Sequence, residues 1–211
     1  MERQNNLIVR YRPGDRFIHW VVAVSFILAG LGGLAMYHPM FVPLSALFGG
    51  GPWTRASHPW IGLVVFVFFA ALAIRFCRDN KLTAGDRKWL SQIGDVVANH
   101  EERLPEVGRY NAGQKVLFWV MLITLVLLLL SGLVMWYGYF ALDFSLGMRR
   151  LAADVHAISA FVLIIGIIVH IYASFWVKGS VRSMTRGTVT PAWAKQHHAA
   201  WYREISKGGA A

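Results

Sequence analysis

The fold is decided by an uncharged stretch near the N-terminus, residues 17–37, which reads FIHWVVAVSFILAGLGGLAMY. A helix needs about 20 apolar residues to cross the hydrocarbon core of a bilayer, and this stretch supplies 21. Three further uncharged stretches have comparable lengths, with 19 residues at 56–74, 27 at 116–142 and 23 at 155–177. The sequence therefore predicts an all-α integral membrane protein, a bundle of four transmembrane helices.

The composition indicates the same class and excludes several others. Of the 211 residues, 56% are hydrophobic and 15% are charged, whereas a soluble domain is about 45–50% apolar and about 25% charged. The 9 Trp, 13 Phe and 7 Tyr residues exclude a disordered chain. The single cysteine, Cys77, excludes a disulfide scaffold, an iron–sulfur cluster, a C-x-x-C-H haem attachment and a thiolate zinc site.

Basic residues are segregated between the two ends of the expected helices. With four crossings both termini lie on one side, and that side receives 18 of the 21 Lys and Arg residues. The positive-inside rule therefore places both termini in the cytoplasm. This distribution also assigns the net charge of +10 to topology and to contact with anionic membrane lipid, with no nucleic-acid partner.

We expect a single domain over residues 1–211. Its helices are predicted at about 17–38, 55–76, 115–137 and 151–177, with a cytoplasmic loop at 77–114 and a cytoplasmic tail at 178–211. The first helix is not a signal peptide, because its apolar stretch is too long and has no small-residue cleavage site. The polar, aromatic tail is interpreted as a segment that lies on the membrane interface or on a partner.

Four of the eight histidines lie within the apolar stretches: His19, His58, His156 and His170. Ionisable side chains within a bilayer are costly and are functional-site candidates by default. Position along the helices places His19 and His170 toward the cytoplasmic side, and His58 and His156 toward the external side. Each level then holds two imidazoles from different helices, an arrangement that clamps a haem between two axial ligands.

His156 and His170 occupy one face of the fourth helix. They are 14 residues apart, which is about 40° around the axis and roughly 21 Å along it. This separation suits two haems stacked through a core of about 30 Å, whereas ligands of one shared ion would lie close together. Because two imidazoles leave no open iron position, the residues predict a di-haem b-type cytochrome that transfers electrons.

Small residues lie four positions from three of these histidines. Such positions are neighbours on a helix surface, so they provide room for a porphyrin or, alternatively, serve helix packing. They are Gly62, Ala152, Ala160 and Gly166.

Seven motifs along almost the whole chain carry a family resemblance: 8–11 (IVRY), 16–20 (RFIHW), 58–59 (HP), 108–115 (GRYNAGQK), 170–173 (HIYA), 176–179 (WVKG) and 190–198 (TPAWAKQHH). They resemble the cytochrome b (gamma) subunit of the membrane-bound respiratory formate dehydrogenases of bacteria. The resemblance implies an external haem b on His58 and His156 and a cytoplasmic haem b on His19 and His170.

The resemblance also implies partners and a direction of electron flow. It implies a heterotrimer in the bacterial inner membrane, with an iron–sulfur (beta) subunit and a molybdenum or tungsten catalytic (alpha) subunit. Formate oxidation belongs to the alpha subunit on the external side. This chain is expected to pass the electrons to menaquinone or ubiquinone at the cytoplasmic side, with proton uptake from the cytoplasm.

A quinone site is expected where the third helix begins, at Asn111, Gly113 and Gln114. Amide donors beside exposed glycine backbone suit the carbonyl oxygens of a quinone, and the resemblance implies that this loop and His170 border it. The alternative is structural, with Asn111 as a helix cap and Gly113 as a turn residue.

The remaining histidines and three other functions complete the sequence-based expectations. Histidines outside the apolar stretches are interpreted as interface or surface residues, namely His38, His100, His197 and His198. The histidine scheme also fits the cytochrome b subunit of a nickel–iron hydrogenase or a thiosulfate reductase. A stand-alone cytochrome b that oxidises superoxide or ascorbate is a second alternative, and a transporter or non-redox membrane anchor is a third.

Overall fold

A computed structural model of the chain describes residues 7–98, 100 and 103–208. Its elements in chain order are β1 (Ile8–Val9), α1 (Pro13–Tyr37), α2 (Gly51–Phe76), α3 (Ala84–Ser91), α4 (Ile93–Val97), α5 (Ala112–Met135), α6 (Leu146–Trp176), α7 (Ser180–Thr185), β2 (Thr188–Val189), α8 (Pro191–His197) and α9 (Ala199–Gly208). Short 3₁₀ helices lie at Pro39–Phe48 and Ala141–Asp143.

Four of these helices, α1, α2, α5 and α6, are long and apolar enough to cross a membrane. The shortest, α5, has 24 residues, and about 1.5 Å of rise per residue makes it longer than a hydrocarbon core of about 30 Å. Only 11–17% of the residues in their apolar windows are buried within the chain, so most of their surface is available to lipid. The expectation of four membrane helices in a mostly helical chain is confirmed.

Helix α1 begins four residues before its apolar stretch, at Pro13. Proline suits a first helical position because its φ is already helical and its missing N–H is not needed there. Asp15 in the first turn accepts a hydrogen bond from the Arg12 amide and forms an ion pair with Arg75 of α2. Polar contacts therefore extend the helix beyond the residues that hydropathy alone selects.

Helix α6 begins at Leu146, earlier than the expected start near 151. Ser145 caps it, because the Ser145 hydroxyl oxygen accepts a hydrogen bond from the Met148 amide at 3.3 Å. The two arginines expected in the external connection, Arg149 and Arg150, therefore lie in the first turns of the helix.

The chain divides into two compact units. The first, here called the bundle unit, comprises Phe17–Ile74 and Val120–Val169. The second, here called the end unit, comprises Met1–Arg16, Arg75–Trp119 and His170–Ala211.

In the bundle unit, α1 and α2 are joined by a folded connection. His38 caps its 3₁₀ helix through a 3.2 Å bond from the Met40 amide to Nδ1, and the helix ends at Gly49 with φ of 87°. That backbone conformation is easy for glycine and strained for other residues. Thr54 is fully buried and donates to the Gly50 carbonyl at 2.9 Å, which fixes the start of α2.

In the end unit, the C-terminal tail folds onto the N-terminal arm. Strand β1 pairs antiparallel with β2, with Ile8 opposite Val189 and Val9 opposite Thr188. A small core forms behind this ladder from Val189, Ala194 and Trp201, with Ile8, Trp193, Tyr202 and Ile205 packed against it. The tail was expected on the membrane interface or on a partner, yet much of its apolar surface is used within this unit.

The segment between α2 and α5 is fastened to α5 by a buried ion pair. The Lys115 Nζ lies 2.8 Å from the Asp86 carboxylate, and both side chains are about one-tenth exposed. Burial acts to raise the pKa of Asp86, but the bonds from Lys115 and Thr83 outweigh it and hold that pKa below its usual range. The Trp119 indole adds a 2.9 Å bond to the Asn80 carbonyl.

Candidate functional site

Two of the four membrane histidines face each other in the bundle unit. The rings of His58, from α2, and His156, from α6, have centroids 6.2 Å apart and planes at 64°. Both residues are half-buried. The structure therefore brings together the two imidazoles that the sequence places at the external level.

This separation matches two imidazoles on opposite sides of one metal ion. An imidazole nitrogen binds a transition metal at about 2.0–2.1 Å, and the ring centroid lies about 1.1 Å behind that nitrogen, so two trans ligands have centroids about 6.2–6.4 Å apart. The observed 6.2 Å falls at this value. The ring spacing is therefore compatible with an iron held between His58 and His156.

The Nδ1 atoms of His156 and His58 have different surroundings. Nδ1 of His156 lies 2.9 Å from the Ser131 hydroxyl of α5. Nδ1 of His58 is buried without a completed hydrogen bond, although the Ala29 carbonyl of α1 is adjacent to the ring. Ligating histidines commonly present their second N–H to a hydroxyl or carbonyl in this way.

Three glycines that the sequence analysis did not select allow this close approach. A Cβ on Gly33 would lie 3.3 Å from Cε1 of His58, and one on Gly132 would lie 3.4 Å from Cε1 of His156. Gly32 would similarly meet Nδ1 of His58 at 3.6 Å. The available signal was the Gly-Leu-Gly-Gly sequence of α1 and the Ser-Gly pair of α5. Gly62, by contrast, faces open space.

The other two membrane histidines are described within separate units. His19 lies in the second turn of α1 in the bundle unit, edge-on to Trp20 with centroids 5.6 Å apart. His170 lies six residues before the end of α6 in the end unit, and its carbonyl accepts a 2.7 Å bond from the Ser174 hydroxyl. Both are half-buried, and their pairing remains a prediction.

The expected quinone residues form a reciprocal cap at the start of α5. The Asn111 amide donates to the Gln114 side-chain oxygen at 3.0 Å, and the Gln114 amide donates to the Asn111 side-chain oxygen at 2.8 Å. This is a capping box built from two amides. The Trp89 indole of α3 packs against Gly113, where a Cβ would lie 3.3 Å from the ring.

The cap occupies the side-chain oxygens and determines which way the amide groups face. Since both carbonyl oxygens accept from backbone N–H groups, the NH₂ groups of Asn111 and Gln114 point away from the helix end. The structural and functional interpretations of Asn111 are therefore compatible.

The end unit contains a buried arginine, Arg10, enclosed by aromatic rings, which the sequence analysis did not predict. Arg10 is 4% exposed, and its guanidinium lies 4.8 Å and 5.1 Å from the ring centroids of Trp201 and Trp193. Its Nη2 donates to the Arg109 carbonyl at 2.7 Å and lies 3.2 Å from Nε2 of His198. Aromatic faces and the Arg109 carbonyl oxygen thus stabilise the charge of Arg10.

The interpretation of His198 as an interface or surface residue is wrong. His198 is 3% exposed, and its Nδ1 lies 2.8 Å from the Gly108 carbonyl. Only a neutral ring, with its proton on Nδ1, can donate to Gly108 and accept from Arg10 together. Burial, followed by the Arg10 charge, lowers the pKa of His198 from 6.5 to about 3.

Lowering the pH from 7 to 5 is therefore expected to loosen the docked tail. When the tail is undocked, His198 takes up a proton below about pH 6.5. When the tail is docked, His198 takes up a proton only near pH 3, because its pKa is about 3. The undocked state binds more protons in this window, so docking loses up to about 1.4 kcal/mol per pH unit, or about 2 kcal/mol at pH 5. Hydrogen exchange at the Arg10 and Ala200 amides, corrected for intrinsic rates, measures this loss.

Two controls isolate His198 in this experiment. His198→Asn should remove most of the pH dependence, whereas His197→Gln should retain it. The Arg203 side chain lowers the pKa of Glu106, so that ion pair stays intact at pH 5. Equal protection at pH 7 and pH 5 in the unaltered chain would contradict the assignment.

The fold and the histidine pair define a class: a protein with four candidate membrane helices, two of which bring histidine rings together, as in membrane cytochromes b. A family model described as prokaryotic cytochrome b561 matches residues 10–187. The chain belongs to this family, and membership implies haem b as its cofactor.

Similar proteins carry the name anticipated from the sequence motifs. The chain is 42% identical over 205 residues to the formate dehydrogenase cytochrome b556(fdo) subunit of Escherichia coli K12, covering 97% of this chain and 96% of that one. It is 38% identical over 207 residues to the nitrate-inducible formate dehydrogenase cytochrome b556(Fdn) subunit of the same organism, covering 98% and 95%. The formate dehydrogenase cytochrome b556 subunit of Haemophilus influenzae is 40% identical over 197 residues, covering 93% and 83%. The family resemblance is confirmed.

Proposed function

We propose that this chain is the di-haem b membrane anchor subunit of a formate dehydrogenase. It passes electrons from an iron–sulfur subunit across the membrane to quinone at the cytoplasmic side, with proton uptake from the cytoplasm. The facing pair of His58 and His156, spaced for a bis-imidazole iron, is the observation that carries this proposal. Full-length similarity to formate dehydrogenase cytochrome b556 subunits supports the choice of complex.

The haem ligands are assigned by helix position. His58 and His156 would hold an external haem b, and His19 and His170 a cytoplasmic one. When bound, haem b supplies one-electron transfer, because two imidazoles leave no iron position for oxygen. The residues themselves fix the ligand spacing, keep the sites within apolar helices and let backbone approach the rings at Gly33 and Gly132.

The membrane orientation follows from charge. The positive-inside rule places both termini, the 77–114 loop and the 178–211 tail in the cytoplasm. The inner membrane of a bacterium is the location that fits this orientation and the prokaryotic family. Arg55, Arg149 and Arg150 are then the basic residues of the external side.

Partner subunits, and not this chain, would oxidise formate. We assign formate oxidation to a molybdenum or tungsten catalytic subunit, with an iron–sulfur subunit between it and the external haem. Exposed and partly exposed aromatic residues near the start of α2 provide contact area for such a neighbour or for the lipid interface. Trp60, Trp136 and Tyr139 form one cluster there, with ring centroids 5.0–6.1 Å apart.

The quinone site is assigned to Asn111, Gly113, Gln114 and His170. The outward amide groups of Asn111 and Gln114 offer two hydrogen-bond donors, which a quinone oxygen needs as negative charge develops on it. The capping box holds both donors in a fixed direction. A cytoplasmic position for this loop provides access to protons.

Purification of the tagged chain with its native partners tests the proposed function. Formate is expected to reduce a b-type α-band in the complex, and peptide identification is expected to find iron–sulfur and molybdenum or tungsten subunits. Reduction by hydrogen and not by formate would assign the chain to a hydrogenase. A chain with no reducible α-band would be a transporter or a non-redox anchor.

A further inference from the structure

Ser131 of α5 has a contact that the proposed function leaves unassigned. Its hydroxyl oxygen lies 2.9 Å from Nδ1 of His156 and 2.6 Å from the Leu127 carbonyl oxygen. The residue is 5% exposed, so water does not compete freely for either bond. Ser131 is thus a buried link between the backbone of α5 and one candidate axial ligand.

The protons in this link can be assigned from donor and acceptor chemistry. A serine hydroxyl carries one proton, and the Leu127 carbonyl can only accept. The short bond to Leu127 therefore takes the hydroxyl proton, and the Ser131 oxygen accepts from the N–H at Nδ1 of His156, which the Leu128 carbonyl also faces. This leaves the lone pair on Nε2, the nitrogen that remains free to bind an iron.

Gly132, the residue after Ser131, restricts the His156 ring from a second direction. Gly132 places backbone where a Cβ would lie 3.4 Å from Cε1 and 3.8 Å from Nδ1 of His156. The imidazole therefore lies against α5 and is bonded to it at one nitrogen. Among the residues that the structure describes, the group beside the His58 ring is the Ala29 backbone carbonyl and not a hydroxyl.

We propose that Ser131 is a positioning residue that fixes the tautomer and orientation of His156 and thereby lowers the reduction potential of the external haem. An acceptor on Nδ1–H makes an imidazole a stronger electron donor, and stronger donation favours the oxidised iron. The proposal rests on the proposed function, because it requires that His156 is an axial ligand.

The test is a redox titration of the purified complex, followed at the b-type α-band. Ser131→Ala should keep both haems and shift the equilibrium of one of them about 3–10-fold toward the reduced form, which is about 30–60 mV upward at 59 mV per tenfold for one electron. The electron paramagnetic resonance signal of the same haem should change, because it depends on the angle between the two ligand planes.

Matched variants separate the effect of the Ser131 hydroxyl from the effect of side-chain packing. Ser131→Thr and Ser131→Val have the same shape and differ in the hydroxyl, so only the valine variant should show the upward shift. This pair also decides the matter if Ser131→Ala does not assemble. Thr124→Val makes the same change two turns earlier, at a buried residue whose hydroxyl donates to the Val120 and Met121 carbonyls, and should shift nothing.

The outcomes distinguish this inference from the function beneath it. An upward shift in Ser131→Ala and Ser131→Val alone supports the positioning role. Identical potentials in Ser131→Thr and Ser131→Val, or an equal shift in Thr124→Val, would overturn it while leaving the haem assignment intact. A parent complex without a reducible α-band overturns the proposed function itself.

Discussion

Replacing His58 or His156 with alanine is expected to remove one of two haems b and to stop reduction of the remaining haem by formate. Alanine offers no lone pair, so the iron would lose one of its two axial ligands. Replacing His19 or His170 should remove the other haem. These variants should keep formate-driven reduction of the external haem and lose quinone reduction.

Pyridine haemochrome assays and stopped-flow spectra of the assembled complexes measure both effects. The parent is expected to contain about two haems per chain, since two axial imidazoles serve each iron, and each single variant about half of that. His38→Ala is a matched control near the same helix ends as His58, because His38 is exposed and its ring contacts only the neighbouring Met40 amide and Phe41 among the contacts described. One haem per parent chain would refute the two-pair assignment, and the opposite kinetic pattern would reverse the orientation.

The number of long apolar helices and the pairing of His58 with His156 could be predicted from the sequence, because a bilayer constrains both helix length and the depth of each residue. A crossing helix must be long and uncharged, so residues 17–37 mark one without any tertiary information. Along such a helix each residue advances about 1.5 Å, so sequence position gives depth. That rule placed His58 and His156 at one level, and their rings lie 6.2 Å apart.

The rotation of each helix about its own axis could not be predicted from the sequence in the same way. In a segment that is apolar on every side, periodicity does not show which face meets a neighbour. Four-residue spacing compares positions within one helix, so it could not select Gly33 and Gly132, which approach the histidine rings from other helices. Ser131 was missed for the same reason, since its contact with His156 depends on how α5 and α6 are turned.

The contacts of the end unit could not be predicted from local sequence patterns, because they join distant parts of the chain. The bond between Arg10 and His198 spans 188 positions, and the two-residue strands β1 and β2 are too short for an alternating pattern. A histidine in a polar tail is usually exposed, and His198 is buried only because Arg10 and Gly108 satisfy both ring nitrogens.

Replacing Asn111 with aspartate is expected to lower quinone turnover while leaving haem content and stability intact. Aspartate keeps the oxygen that caps α5, and a negative charge is favourable at a helix N-terminus. It loses the outward NH₂ donor. One hydrogen bond to a developing charge is worth about 1.5–3 kcal/mol, so the expected loss is roughly 10–100-fold. Steady-state quinone reduction per assembled complex, with the thermal melting point of the same preparation, gives both quantities.

Asn111→Leu alone would not decide the question, because leucine removes the cap and the donor together. The comparison with Asn111→Asp separates them: a cap-only role predicts that the leucine variant loses about 1 kcal/mol of stability and that neither variant changes quinone kinetics. Gln114→Glu repeats the logic at the other end of the capping box, since glutamate retains the acceptor for the Asn111 amide and loses the second donor. A quinone site made by both amides requires that Asn111→Asp and Gln114→Glu each slow turnover at normal stability. Unchanged turnover in both variants would restrict Asn111 and Gln114 to starting helix α5.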